Sequence, residues 1–352
     1  MTERKRCLSG MRPTGKLHLG HLVGALENWK RLQDEYDCFF MVADWHALMS
    51  EYEHPDAIRQ STYDNVVDWL ACGIDPKRSV IFRQSDVPEH AELYTLLSII
   101  TPLGWLERVP TYKEQLRELA GRELTTHGFL GYPVLQAADI LLYRAHVVPV
   151  GEDQLSHLEL TRELVRRFHH LYQTDIFPEP QALLTKAARL LGTDGRKMSK
   201  SYGNTLNLSE EPDTIRQIVQ SMFTDPLRIK MSDPGHPESC NVCNYWRVFA
   251  PAEQADRLWE ECRTSKRGCV QNKRELAEHV IGLTEPFRAA RKRLGASLVS
   301  EAEAILRDGA VRAKAVAQQT MTNVKRVIGL AGTDSEGKSQ NAKGQTTIQK
   351  SK

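Results

Sequence analysis

The chain predicts an α/β fold: a Rossmann-like, doubly wound parallel sheet followed by a helical C-terminal domain. Three features carry this. Short apolar runs suited to buried strands alternate with stretches of helical periodicity. A turn rich in glycine and histidine follows the first of those runs. Beyond about Ser209 the strand-like runs stop, and charged helical patterns continue to about Leu330.

In order, "RCLS" (6–9) is a short strand candidate before the opening loop. "TGKLHLGHLVGALENW" (14–29) then places Leu19, Leu22, Val23, Leu26 and Trp29 on one face of an amphipathic helix. "CFFMVAD" (38–44), "SVIFRQS" (79–85) and "AHVVPVG" (145–151) are buried-strand candidates, with helices expected over 56–71 and 154–171. The later helix carries Leu155, Leu158, Leu164, Val165 and Phe168. In open parallel sheets ligands bind beyond the carboxyl ends of the strands. The opening loop, Asp44 to His46 and "GEDQ" (151–154) are therefore expected to converge. The expected units are a catalytic domain over 1–208, with a helical insertion around 105–145, a helical domain over 209–331, and a disordered polar tail over 332–352.

Composition excludes several classes. With 352 residues, 41% hydrophobic and 26% charged, the chain is an ordinary globular one. It has no apolar run long enough to span a membrane, and "MTERKRCLSG" has no apolar signal region, so a cytoplasmic location is expected. Seven cysteines without regular spacing do not form a secreted disulfide framework. Net charge is only +2, but between Ser265 and Leu294 eight basic side chains face three acids, a local excess suited to a polyanion or to a solvated helix face.

His18 and His21 fall in the first turn of the first helix, where unpaired N–H groups and the helix dipole favour an anion. Two imidazoles three apart could also hold a metal, yet no nearby Cys/His pair completes such a site. The second motif, "DGRKMSKSYGN" (194–204), sets two lysines three apart among small residues, a loop able to lay ammonium groups on phosphate oxygens. Alone it would read as a basic surface loop. Paired with "HLGH" it resembles the two signature motifs of class I aminoacyl-tRNA synthetases. "SGMRPTGKLHLGH", "GYPVLQAADILLY" (131–143), "VPVGEDQLSHLELTRELVRRF" (148–168) and "GRKMSKS" narrow the resemblance to bacterial tryptophanyl-tRNA synthetases, over residues 6 to 330. Two positions depart from the commonest pattern: His21, where many of these enzymes have asparagine, and Leu8, where an aromatic is frequent.

The resemblance implies activation of L-tryptophan by ATP with Mg²⁺, transfer to tRNA(Trp), and a homodimer. It makes His18, His21, Lys197 and Lys200 the catalytic set. Arg12, Pro13, Thr14 and Gly20, then Gly151, Glu152 and Asp153, then Met198, Ser199 and Ser201 become ATP contacts. Asp139 becomes the acceptor of the indole N–H, with Tyr132, Gln154 and His46 around the same amino acid. A subset of the family carries a four-iron, four-sulfur cluster, so Cys240, Cys243, Cys262 and Cys269 become candidate ligands for such a cluster or for zinc, although Asn272 stands where the last cysteine of that pattern would be. Two rivals of other classes are a small-molecule nucleotidyltransferase, usually a shorter chain, and a non-catalytic paralogue. A tyrosine enzyme is the nearest rival of the same class.

Overall fold

The computed structural model describes residues 4–109, 126–184, 190–196 and 198–330, apart from the side chains of Asp153 and Ser201. Five strands, β1 (Arg6–Met11), β2 (Asp37–Val42), β3 (Val80–Arg83), β4 (Val147–Val150) and β5 (Gln181–Leu184), form one sheet in the order β3-β2-β1-β4-β5. Every neighbouring pair is parallel, with Cys7 beside both Cys38 and Val147. Strands alternate sides with period two. Cys38, Phe40, Val42 and Ile81 enter one apolar cluster, and Phe39, Met41, Val80 and Phe82 enter the other. Both faces are therefore buried, as the apolar runs predict.

The anticipated strands lie within or beside the predicted runs. The fifth, "QALL", is short, partly exposed and poor in β-branched residues, so sequence gave no sign of it. The predicted helices are α4 (Asp56–Cys72) and α9 (Leu155–Tyr172). The first helix is interrupted: α1 (Leu19–His21) runs through a π turn (Leu22–Leu26) into α2 (Glu27–Glu35). Leu19, Leu22, Leu26 and Trp29 are buried and Val23 half-buried. Widened turns of this kind recur at functional sites, and here Gly24 and Ala25 line a cavity.

Chain order steps outward from β1 through β2 to β3, then returns to the other side of β1 with β4. The loops after β1 and β4 diverge, which opens a crevice at the carboxyl ends of those strands. Further helices pack around it: α3 (Asp44–Glu51), α5 (Glu89–Ile100), α6 (Leu103–Leu106), α7 (His127–Leu130) and α8 (Tyr132–Leu142). Part of the expected insertion, 110–125, lies outside the described residues, as does the tail expected over 332–352.

Residues past 208 are helical: α10 (Pro212–Ser221), α11 (Asn241–Phe249), α12 (Ala252–Arg263), α13 (Cys269–Leu294) and α14 (Leu298–Val327). They do not stand apart from the sheet. Ala313, Ala317, Met321 and Val324 of α14 enter the same apolar cluster as Phe39 and Phe82. Arg291 of α13 bonds Asp64 and Asp68 of α4, and Arg83 of β3 pairs with Glu303 of α14. At Gly309 helix and strand backbones touch: a Cβ there would lie 1.7 Å from the Ile81 carbonyl oxygen. Replacing Gly309 by alanine should lower unfolding stability by about 1–3 kcal/mol, the scale of core overpacking. Gly282→Ala, which meets nothing within 4 Å, serves as control. Equal chemical denaturation midpoints for the two variants would show that α14 slides freely on β3.

Candidate active site

At the start of α1 the two histidines cap each other's backbone. His18 Nδ1 accepts from Gly20 N–H at 3.2 Å, and His21 Nδ1 accepts from His18 N–H at 3.1 Å. Their rings stand 3.8 Å apart. A nitrogen that accepts carries no proton, so each neutral ring holds its proton on Nε2. Burial, with the Lys200 charge second, pushes His18 down to about 4. Burial also holds His21 well below the ordinary range. Both are therefore neutral N–H donors at physiological pH. Gly20 leaves room for this pair, because a Cβ there would lie 3.0 Å from the His18 ring.

The second motif docks on the first. Leu19 N–H donates to the Leu206 carbonyl and Leu208 N–H to the Leu17 carbonyl, making a short antiparallel bridge at His18 and Asn207. Lys200 Nζ donates to the Thr14 carbonyl at 3.1 Å. Asn204 organises the intervening turn, accepting from Ser199 N–H at 2.8 Å and donating to Asp194 at 2.8 Å. Met198 is buried, its sulfur 3.5 Å from where a Gly20 Cβ would sit. Lys197 lies outside the described residues.

A cavity of about 400 Å³ occupies the switch-point crevice. Arg12, Thr14, His21 and Gly151 line it, and so do Tyr132, Asp139, Gln154 and His46. The three strand-end segments thus converge as expected. Pro13 is buried in the same loop. Glu152 is exposed in the 3₁₀ turn Glu152–Gln154, which also contains Asp153. Leu8, Met41, Ile140, Val148 and Val150 form an apolar wall, with Leu8 supplying aliphatic surface where an aromatic is more usual.

Asp139 sits at that wall, 1% exposed. Burial would raise its pKa, but His90 and His46 outweigh it and hold the carboxyl below its ordinary range. Its oxygens accept from His46 Nε2 at 2.9 Å, Gln84 Nε2 at 2.9 and 3.0 Å, and His90 Nδ1 at 2.6 Å. Tyr132 meets the His46 ring edge-on at 4.4 Å, and Gln154 reaches His157. Sequence reasoning missed Gln84, His90 and Tyr143. The usable signal was position, since Gln84 and His90 follow a predicted strand end.

Cys240, Cys243 and Cys262 do gather, hydrogen-bonded through Cys243, with Cys269 alongside. Cys240, Cys262 and Cys269 line a space of about 10 Å³, roughly one water's worth. Asn272 closes the group, donating to Cys243 Sγ at 3.7 Å and accepting from Trp246 Nε1 at 2.8 Å. Among the described residues no three His, Cys, Asp or Glu side chains are placed to hold a metal ion. Hydrogen bonds from Cys243 lower Cys240 to about 6 and Cys262 to about 7. The basic run is also partly internal. Arg267 bonds Glu261 and Glu275, Arg288 bonds Glu285, and Arg291 is tied to α4. Lys266, Arg274, Lys292 and Arg293 remain exposed.

Fold and crevice together put the protein among α/β enzymes that bind a nucleotide across the switch point of a parallel sheet. Comparison with known families sharpens this. The family of class I tRNA synthetases (W and Y) matches residues 1–285, and the chain belongs to it. It is 50% identical to the tryptophan–tRNA ligase of Thermotoga maritima, over 92% of this chain and 99% of that one. It is 42% identical to that of Ralstonia nicotianae, over 93% and 98%. A solved tryptophanyl-tRNA synthetase from Campylobacter jejuni, complexed with ADP and tryptophan, superposes with a TM-score of 0.83 at 34% identity, covering 92% of this chain and all of that one.

Burial, with Arg12 second, pulls Lys200 down to about 8. A lowered lysine is charged below that value and neutral above it, so kcat/KM for ATP should fall as pH rises through about 8. In Lys200→Arg the guanidinium stays charged throughout, and the alkaline fall should disappear even if the rate is lower. An unchanged limb in that variant would assign the titration to another group.

Proposed function

We infer that the protein activates L-tryptophan with ATP, giving tryptophanyl-adenylate and pyrophosphate, and transfers the tryptophanyl group to tRNA(Trp) with release of AMP. The observation that carries this is one cavity with two unlike ends. His21 and Arg12 line one end, with His18 against the His21 ring and Lys200 bonded to the Thr14 carbonyl beside them, and an ionised carboxylate stands in an apolar wall at the other. Relatives at this identity are tryptophan–tRNA ligases, which selects the amino acid.

In the first step a tryptophan carboxylate oxygen attacks the α-phosphorus. The bond to the bridging oxygen breaks, and its electron pair leaves with pyrophosphate. The protein's part is positioning and charge stabilisation. His18 and His21 offer Nε2–H to phosphate oxygens while remaining uncharged. Lys200, with Lys197 on the same loop, supplies positive charge where pyrophosphate builds it up negatively. Arg12 and Thr14 line the nucleotide end, and the turn from Gly151 through Glu152 and Asp153 faces the ribose, whose hydroxyls suit carboxylates. Mg²⁺ enters as part of the MgATP substrate. At the other end Asp139 accepts the indole N–H, the one donor of that ring. Tyr132 and Gln154 hold the α-ammonium, and His46 packs beside Asp139.

The helical segment over 209–331 presents Lys266, Arg274, Lys292 and Arg293 to the solvent, a surface suited to tRNA phosphates. The working unit is a homodimer, which sedimentation at assay concentration tests. Among the described residues no helix is long and apolar enough to cross a membrane.

Pyrophosphate exchange into ATP should depend on L-tryptophan and not on tyrosine or phenylalanine. His18→Ala and His21→Ala should each slow exchange by about 10²-fold, the effect of losing one transition-state donor, with tryptophan binding in the absence of ATP close to normal. Wild-type exchange in both variants would leave the histidines as helix caps and nothing more. Asp139→Ala should lose discrimination against phenylalanine and tyrosine while KM for ATP holds, because a polar acceptor rejects analogues that cannot pair with it. Retained discrimination would remove Asp139 from the indole site.

A further inference from the structure

The Asp139 carboxylate is fixed from behind as well as from the cavity. His46 lines the cavity, whereas His90 lies outside its lining, fully buried in the first turn of α5. His90 Nδ1 meets Asp139 Oδ1 at 2.6 Å, and its Nε2 meets the Tyr143 hydroxyl at 2.7 Å. An ionised carboxylate only accepts, so Nδ1 carries the proton. Nε2 is held in turn by the Tyr143 hydroxyl. The phenol stays protonated, its pKa raised by burial first and by the charges of Asp139 and Glu89 after it. A chain of hydrogen bonds therefore runs from Tyr143 through His90 to Asp139. Gln84 Nε2 bridges both carboxylate oxygens and His46 takes Oδ2. A carboxylate has about four acceptor positions. Each oxygen therefore meets two donors, His90 and Gln84 at Oδ1 and His46 and Gln84 at Oδ2, and His90 holds the oxygen that the cavity-lining His46 does not.

We propose that His90 is a positioning residue for amino-acid selection: locked by Tyr143, it holds Oδ1 of Asp139 from behind and so fixes the orientation of the carboxylate at the cavity wall. This rests on the reading of Asp139 as the indole acceptor. A histidine that merely filled space would be replaceable by an apolar side chain of similar size, with no effect specific to one substrate. A positioning histidine would not be.

Steady-state pyrophosphate exchange with the full-length protein distinguishes the two. His90→Leu should raise KM for tryptophan by about 10-fold or more, the usual worth of a hydrogen bond to a charged group, with KM for ATP unchanged. His90→Asn, whose amide can reach toward Asp139 from the Nδ1 side, should recover most of that loss. The titratable groups around Asp139 are His46 from α3, His90 and Glu89 from α5, and Tyr143 after α8. Loss of one donor makes the carboxylate easier to protonate, so the acid limb of kcat/KM for tryptophan should move to higher pH in His90→Leu. Tyr143→Phe removes one hydroxyl and should shift the same limb less far, and it serves if His90→Leu fails to fold. An unmoved limb and unchanged KM for tryptophan in folded His90→Leu, or in Tyr143→Phe where the leucine variant does not fold, would overturn the proposal. If Asp139→Ala meanwhile loses tryptophan discrimination, the reading of Asp139 survives that failure. Wild-type discrimination in Asp139→Ala would instead overturn the reading of Asp139, and the role of His90 with it.

Discussion

An ionised carboxylate in an apolar interior is tolerable only where donors converge on it, and the catalytic half of this protein is arranged around meeting that condition at Asp139. The donors come from consecutive strand ends: His46 after β2, then Gln84 and His90 after β3. Asp139 itself is presented by α8, in a run of buried alanine, isoleucine and leucine. Were any one donor removed, the remaining charge would be less compensated, and breaking a buried polar network costs more than the mean value of one bond. The register that pairs β2 with β3 is therefore a condition of the site as well as of the sheet.

The opposite end of the cavity solves a different problem. Phosphates need both donors and positive charge, and here the two are divided between side-chain types. On the proposed reading the histidines, kept neutral chiefly by burial, provide direction without charge. Lysine and arginine provide charge with looser direction. Spending each Nδ1 on a backbone N–H achieves two things at once: it satisfies orphan donors at the helix start and fixes the proton on Nε2. Helix capping and the orientation of the donors are thus a single arrangement, which explains why two imidazoles stand three residues apart where a loop becomes a helix.

How much was legible in the sequence depended on how local the cause was. Strands β2 to β4 were readable because burial on both faces leaves a continuous apolar run, β1 only as a short stretch around Cys7 and Leu8, and the two motifs because their spacing is itself the chemistry. Strand β5 was not, since "QALL" owes its conformation to pairing with β4 rather than to propensity. Gln84, His90 and Tyr143 were invisible for the same kind of reason. Each is ordinary in its own segment and acquires meaning only from what packs against it. The basic run from Ser265 to Leu294 misleads in the other direction: Arg267, Arg288 and Arg291 are committed to carboxylates of the same chain, and composition cannot separate such arginines from unpaired ones. Four cysteines in thirty residues are visible in the sequence, but that packing gathers three of them through Cys243 is not.

The two motifs are also mechanically joined. The strand-like bridge between His18 and Asn207, with Lys200 bonded to the Thr14 carbonyl, anchors the downstream end of the lysine loop to the start of α1. The loop's charge is therefore delivered relative to the same backbone that aims the imidazoles. The opposite flank of the loop is held by Asn241 and Tyr245 of α11, which donate to the carbonyls of Gly192 and Leu191. A shift of α11 would pull on this flank while the bridge holds the other. Because α11 belongs to the helical region that packs on α13, and α13 is tied by Arg291 to α4, the position of Lys200, which the proposed function sets against phosphate, depends on contacts well outside the cavity. Rigid packing transmits small displacements because interiors leave little free volume to absorb them. Occupancy of the helical surface by a large ligand therefore has a physical route to the reacting phosphates.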